Sequence, residues 1–272
     1  MSDPTATGQD QKVTPKTMRT ILTVDAVICL LAGLGVGVTA LAGPVAVWLG
    51  ISDFRFGFGL LQFVNTWSLW IAGGTVIVAI GIIALSVVFK VEGGIKLSAL
   101  AMIGAVAAGL AYAIPETFRP PEGTPAIHDI ATDPYRPLDF VAIAPLRADA
   151  PNPLEYGVME GMTVRQHIEL QLEAYPDIKP LTFDASPEEI FNRSLAAAEQ
   201  LGWEIVYADV NEGRIEATDT TFWFRFKDDI VIDISTDRVD TILQARSKSR
   251  VGRSDVGKNA ARLREFFSLI QS

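Results

Sequence analysis

Three apolar stretches, Ile21–Ala42, Trp67–Phe89 and Ile95–Ile114, dominate the first half of this 272-residue chain. Each approaches the ~20 residues that a helix needs to cross a bilayer core, and within lipid only a helix satisfies its own backbone over so short a run. Apolar residues make up 49% of the chain, and nearly all of the excess over an ordinary globular protein lies before Pro115. The chain therefore divides into an N-terminal tail (1–18), a membrane domain of three transmembrane helices (19–115), a Pro/Asp-rich linker and wrapping segment (116–178) and a soluble domain (179–272).

Flanking cations orient the spans. Lys12, Lys16 and Arg19 precede the first, and Lys90 and Lys96 bracket the loop between the second and third. The loop on the opposite side holds only Arg55. Cationic loops stay in the cytoplasm, so the N-terminus is expected there and the soluble domain outside. In a Gram-negative cell this is a multi-pass protein of the inner membrane with a periplasmic domain. Trp48, Trp67, Trp70, Tyr112 and Phe118 fall near the outer interface, and the Phe54–Phe58 loop is expected to seat there too. Ala40-Leu41-Ala42-Gly43 imitates a signal-peptide cleavage site, but the apolar run is long for one and two more spans follow. Asp25 reads as a boundary charge, and no span carries the buried charges of a transport path. Gly33/Gly37 and Gly104/Ala108 have small-xxx-small spacing. Packing of the three spans on one another explains them; a homo-oligomer through the helices is the sharper alternative.

Charge follows the same division. Acidic residues outnumber basic ones only after Arg119, so the soluble part carries the whole net charge of -9 and nucleic acid is not an expected partner. Cys29 lies in the first span, leaving the soluble part without a disulfide or a thiolate metal site. With two histidines, a zinc site needs carboxylates to complete it. Neither phosphate-binding glycine loop occurs, and no cofactor is expected.

The soluble pattern is regular from Leu181 onward. Ser186-Pro187-Glu188-Glu189 starts a helix with a capping box and the preferred first proline, and Gly202 ends it. Strands are expected at 181–183, 203–208, 214–224, 230–235 and 239–249. A final helix is expected from Ser254-Asp255, and Thr163 caps a short helix to Ala174. Ile230, Ile232 and Ile234 alternate as in a sheet with one packed face. The order β-α-β-β-β-β-α is an α+β sandwich, an antiparallel sheet with helices on one face. Such a sheet can curl round a helix and enclose an apolar groove.

The densest motif is "SKSRVGRSDVGKNAARLREFF", Ser247–Phe267. Arg246, Lys248 and Arg250 project from one strand face, with Ala245, Ser247 and Ser249 on the other. One reading is an anion cradle of Arg250, Arg253 and the next helix N-terminus, suited to a phosphate or lipid head group. The other is a structural join, in which Asp255 supplies the negative charge and Asp228 or Asp229 pairs with the arginines. Asp228 and Asp229, adjacent on a strand, point to opposite faces and would rarely share one ion. His128, Asp129 and Asp133 form the only pattern resembling a general base with orienting acids, and no nucleophile motif accompanies them.

"LGWEIVYADVNEGRIEATDTTFWFRFKDDIVIDI" and "VDTILQARSKSRVGRSDVGKNAARLREFF" resemble the domain of unknown function 1499 family over Leu201–Phe267. "IHDIATDP" and "EAYPDIKPL" are similar to upstream segments of its membrane-attached bacterial members. Thr241, Leu243 and Gln244 depart from the more basic fifth strand of that pattern. The resemblance implies the fold unit and brings no activity. Function is therefore expected to be an inner-membrane anchor whose periplasmic domain binds an envelope protein or an amphipathic, anionic lipid ligand. The alternatives are an envelope hydrolase using His128, Asp129 and Asp133, and a purely structural membrane-complex subunit.

Overall fold

A computed structural model describes residues 14–271, so Lys12 lies outside the described residues. The chain forms two compact units that divide between Phe118 and Arg119.

The first unit is three helices, α1 (Pro15–Trp48), α2 (Phe54–Val88) and α3 (Gly94–Glu116), all long and apolar enough to cross a membrane. α1 and α2 start earlier than the apolar stretches alone indicate because their N-termini are capped. The Thr14 hydroxyl accepts the Thr17 N–H ahead of Pro15. Asp53 accepts the N–H groups of Arg55 and Phe56, which makes Phe54–Phe58 the first turns of α2 rather than a loop. Small residues line the seams between helices: Ala26, Cys29 and Gly33 on α1, Ala101, Gly104 and Ala108 on α3. A Cβ built at Gly33 would lie 1.9 Å from the Gly104 carbonyl oxygen, whereas one at Gly37 meets nothing within 4 Å. Gly33 thus packs α1 on α3, and the Gly33/Gly37 pair is not one contact surface. Leu31, Val38, Ile77, Ile80 and Ile103 stay exposed, as lipid-facing side chains do.

The second unit is built on a six-stranded antiparallel sheet: β1 (Asp129–Ala131), β2 (Leu181–Phe183), β3 (Glu204–Asp209), β4 (Arg214–Thr220), β5 (Lys227–Asp237) and β6 (Asp240–Ser249). The order is β1-β6-β5-β4-β3, and β2 pairs with the other half of β6. α4 (Val164–Ala174) carries the capping box at Thr163 and Gln166. α5 (Pro187–Gln200) and α6 (Lys258–Gln271) cover one face. There Ile215, Ala217, Ile230, Ile232, Ile234, Leu243 and Ala245 meet Ile190, Phe191, Leu263 and Phe266. Trp203 lies 5.4 Å from the Phe266 ring. Buried side chains fill the space between sheet and helices.

Two sequence expectations change. β4 ends at Thr220 rather than 224, because 221–226 closes as a turn: the Thr221 N–H donates to the Phe226 carbonyl, the Phe226 N–H donates to the Thr221 hydroxyl, and Arg225 takes a left-handed φ of 54°. α6 starts at Lys258 rather than Asp255, since Val256 and Gly257 are both left-handed. The opposite sheet face is covered by the segment after β1. Phe140 and Ile143 pack on Val231 there, flanked by Leu138, Leu154 and Val206. Compact domains rarely carry a long segment without periodicity that does not pack.

Candidate functional site

The covered face of β4–β6 gathers the motif charges. Strand alternation aims Arg246, Lys248 and Arg250 one way, and register sets Arg246 opposite Val231 and Lys248 opposite Asp229. β1 runs along the other side of β6 with Asp129 opposite Lys248. Asp129 is fully buried. Its carboxylate accepts Arg246 Nε and Nη2, each at 2.9 Å, Lys248 Nζ at 2.7 Å and the Gly157 N–H at 3.1 Å. Asp229 accepts Arg147 at 3.1 Å, the Thr218 hydroxyl at 2.8 Å and Arg250 through both Nε and Nη2. Glu216 accepts the N–H groups of Val141 and Ile143 and the Arg214 guanidinium.

Five cations, Arg147, Arg214, Arg246, Lys248 and Arg250, thus meet three carboxylates, Asp129, Asp229 and Glu216. Each of these cations also donates to a backbone carbonyl, although the buried Arg147 Nε has no partner among the described residues. Arg246 donates to Leu138 and Leu154, Lys248 to Glu155, Arg250 to Leu146, Arg147 to Asn152 and Arg214 to Asp139. An irregular segment has no ladder to satisfy its own backbone, and a buried unpaired carbonyl is costly. The side chains of the sheet supply the missing partners, so the charged ladder holds the wrapping segment down. Aromatic faces complete the enclosure: the Arg246 guanidinium lies 4.9 Å from the Phe140 centroid and 5.4 Å from that of Tyr156.

Burial opposes ionisation of Asp129, but the Arg246 and Lys248 charges outweigh it and hold the carboxyl well below its usual range. Burial lowers Lys248, with Asp129 opposing. Burial likewise pushes His128 down to about 4, aided by Lys248, so its imidazole is neutral at pH 7.

A second network lies on the α6 side. Arg262 joins Asp228 at 2.6 Å and Asp219 at 2.7 Å. Asn259 links the Ser247 and Ser249 hydroxyls and the His128 carbonyl. Asp255, buried, accepts the Gly257 and Asn259 N–H groups and caps α6. Burial pushes its carboxyl up to about 6 despite those two bonds.

The candidate residues therefore occupy distinct places. Asp228 and Asp229 point to opposite faces, as strand geometry predicts. Arg250 is bound to Asp229, and Asp255 serves the helix start. Arg253, beside Gly252 at φ 92°, faces outward. His128, Asp129 and Asp133 do not converge: His128 Nδ1 has no hydrogen-bond partner, Asp129 is engaged by Arg246 and Lys248, and Asp133 caps the turn at Tyr135 and Arg136. His167 is buried edge-on to Tyr156 at 5.0 Å, with neither ring nitrogen bonded. Among the described residues no cluster of His, Cys, Asp and Glu is placed to hold a metal ion.

Sequence reasoning missed Arg147, Glu216, Arg246 with Lys248 as the partners of Asp129, and the Arg262–Asn259 network. The available signal was a strand carrying a cation at every second position beside an acidic, proline-rich segment of domain-like length. Residues 129–270 match the model of a family described as Protein of unknown function (DUF1499). That span begins at β1 and so takes in the wrapping segment. No curated protein and no solved structure matches the chain.

Proposed function

The chain belongs to the DUF1499 family, and on that premise we propose that it is a bacterial inner-membrane protein whose periplasmic domain binds an envelope protein or an amphipathic, anionic ligand. The N-terminus lies in the cytoplasm in this reading, on the strength of Lys16, Arg19, Lys90 and Lys96. One observation carries the binding assignment. Of the motif cations Arg246, Lys248, Arg250 and Arg253, the first three are directed inward onto Asp129 and Asp229, and Arg253 is exposed. Asp228, Asp229, Arg250 and Asp255 are then the framework, and Arg253 is the contact.

Native mass spectrometry of the full chain released from detergent tests the ligand. A reproducible bound mass in the lipid range, lost in Arg253→Ala, supports it. A clean apo mass sinks the small-ligand form and directs attention to a protein partner, sought by crosslinking in the intact envelope. Topology has its own test: a cysteine placed at exposed Val239 should react with an impermeant maleimide from the periplasmic side of intact cells. Protection there until the inner membrane is opened would contradict the orientation.

A further inference from the structure

One side of α4 borders a groove. Gln166, Glu169, Leu170 and Glu173, spaced by three and four along the helix, line it with the Gly161–Met162 turn that leads into α4. Its volume is about 310 Å³, at the lower end of the ~300–1,000 Å³ typical of ligand sites. Met162 and Leu170 are half-buried and pack on the domain core beneath. The floor is therefore apolar and, through Met162, adaptable.

The two ends of the groove differ in charge. Arg253 stands at the Gly161 end, where its Nη2 would lie 3.7 Å from a Cβ on that glycine. Glu173 stands at the other. Glu169, one turn before it, shares its carboxylate with Arg165 at 2.9 Å. Arg253 and Glu173 are both exposed, and among the described residues neither has a hydrogen bond or ion pair. From Met162 to Glu173 the groove follows α4 for about 16 Å.

Size and charge together select the occupant. An anionic lipid is a poor match, because the floor is two side chains long and Glu169 and Glu173 oppose a negative head group along most of it. An extended polypeptide of about five residues spans the same length at ~3.3 Å each, and its first, third and fifth side chains share one face. We propose that the groove takes such a segment of a partner protein, with an acidic side chain at Arg253, an apolar one over Met162 and Leu170, and a basic one at Glu173. Opposite charges at the two ends fix the register, and the apolar centre excludes water from the floor. The inference rests on the reading of Arg253 as the contact and specifies the chemistry of a protein partner.

Methionine methyl resonances of the full chain in detergent test it. Met162 reports on the floor, and Met18 and Met102 in the membrane helices are references. The probes are acetylated, amidated pentapeptides with serine, leucine and serine at the centre. Their ends carry glutamate and lysine in either order, two glutamates, two lysines or two glutamines. The Met162 methyl should shift saturably with a mixed-charge peptide, with the other four binding about tenfold more weakly or less well still, the scale of one lost charge-assisted hydrogen bond. Met18 and Met102 should not move. Arg253→Glu should turn the preference to the two-lysine peptide and Glu173→Lys to the two-glutamate peptide. Both positions are exposed, so both variants keep the fold. A Met162 methyl that ignores every peptide, or answers the glutamine peptide as strongly as the mixed ones, would overturn the proposal. So would preferences that fail to follow the two substitutions. A lipid mass lost in Arg253→Ala with Met162 silent would sink the peptide occupant and leave Arg253 as a ligand contact. A clean apo mass with Met162 shifting would sink the small ligand and support the peptide.

Discussion

Replacing Asp129 by Asn removes one charge and keeps the shape, which makes it the sharpest perturbation of the buried ladder. In the folded protein that carboxylate takes two bonds from Arg246, one from Lys248 and one from the Gly157 N–H. The amide keeps one acceptor and turns an N–H donor toward groups that are themselves donors. Arg246 and Lys248, both fully buried, are left with only the Leu138, Leu154 and Glu155 carbonyls. Breaking a buried pair by removing one partner costs ~3–5 kcal/mol, and stranding two cations places Asp129→Asn at the upper end. Against a typical domain stability of ~5–15 kcal/mol that is a large fraction, equivalent to a fall of roughly 10–20 °C in Tm. Denaturant titration of the full chain, read by hydrogen exchange in β5 and β6 peptides, measures the soluble unit separately from the membrane helices.

Lys248 gives that experiment a second readout. Burial already lowers its pKa and Asp129 opposes the shift, so losing Asp129 lowers it further. Over the window between that depressed value and the unfolded value of ~10.4, the unfolded state binds more protons, and the variant should regain stability as pH rises. A loss below ~1 kcal/mol at pH 7, in the range of ordinary substitutions, would refute the claim that the ladder is a sealed charge network. Asp129→Leu combined with Arg246→Met and Lys248→Met should recover most of the loss, because an apolar set of similar volume replaces a buried ion pair at little cost.

Arg253→Ala should leave stability within ~0.5 kcal/mol of wild type, whereas Arg250→Ala should cost ~3 kcal/mol by uncovering Asp229; equal losses in a urea melt would contradict their assignment to outer and inner positions. His128 and Asp255 titrate against one another. His128, depressed to about 4, makes the fold lose stability as pH falls from ~6.5 to about 4, by ~3 kcal/mol. Asp255, raised to about 6, takes up its proton in the folded state over the same range and offsets the loss, so the wild-type profile should be shallow. Asp255→Asn should expose the His128 slope, and an unchanged profile in that variant would rule out the compensation. In the membrane unit, Gly33→Val should disrupt α1–α3 packing and Gly37→Val should not, read as thermal aggregation in detergent. The opposite ranking, with loss of a dimer on crosslinking, would favour self-association through Gly37.

Fold class was legible because its signals are local. The span lengths, the Ser186-Pro187 start of α5, the Thr163 cap and the alternation of Ile230, Ile232 and Ile234 each follow from neighbouring residues. The places where reading by neighbours fails are those set by distant ones. Residues 129–131 carry no strand periodicity, and only the pairing with β6, far along the chain, makes them a strand. Arg147 and Glu216 look like surface charges until tertiary contact gives them Asp229 and the Val141 and Ile143 amides. Asp228 and Asp229 were separable from sequence because a strand imposes a period of two. The start of α6 was not, because the left-handed Val256 is a backbone choice that its residue type does not announce.

Native-state hydrogen exchange on the unmodified chain tests most directly whether the motif charges lock the wrapping segment to the sheet. The Val141, Ile143 and Gly157 amides, bonded to Glu216 and Asp129, should show the same protection as Ile230–Ile234 of β5 and open only with global unfolding. Exchange of those three amides far ahead of β5, as in a loop that lifts on its own, would contradict the account.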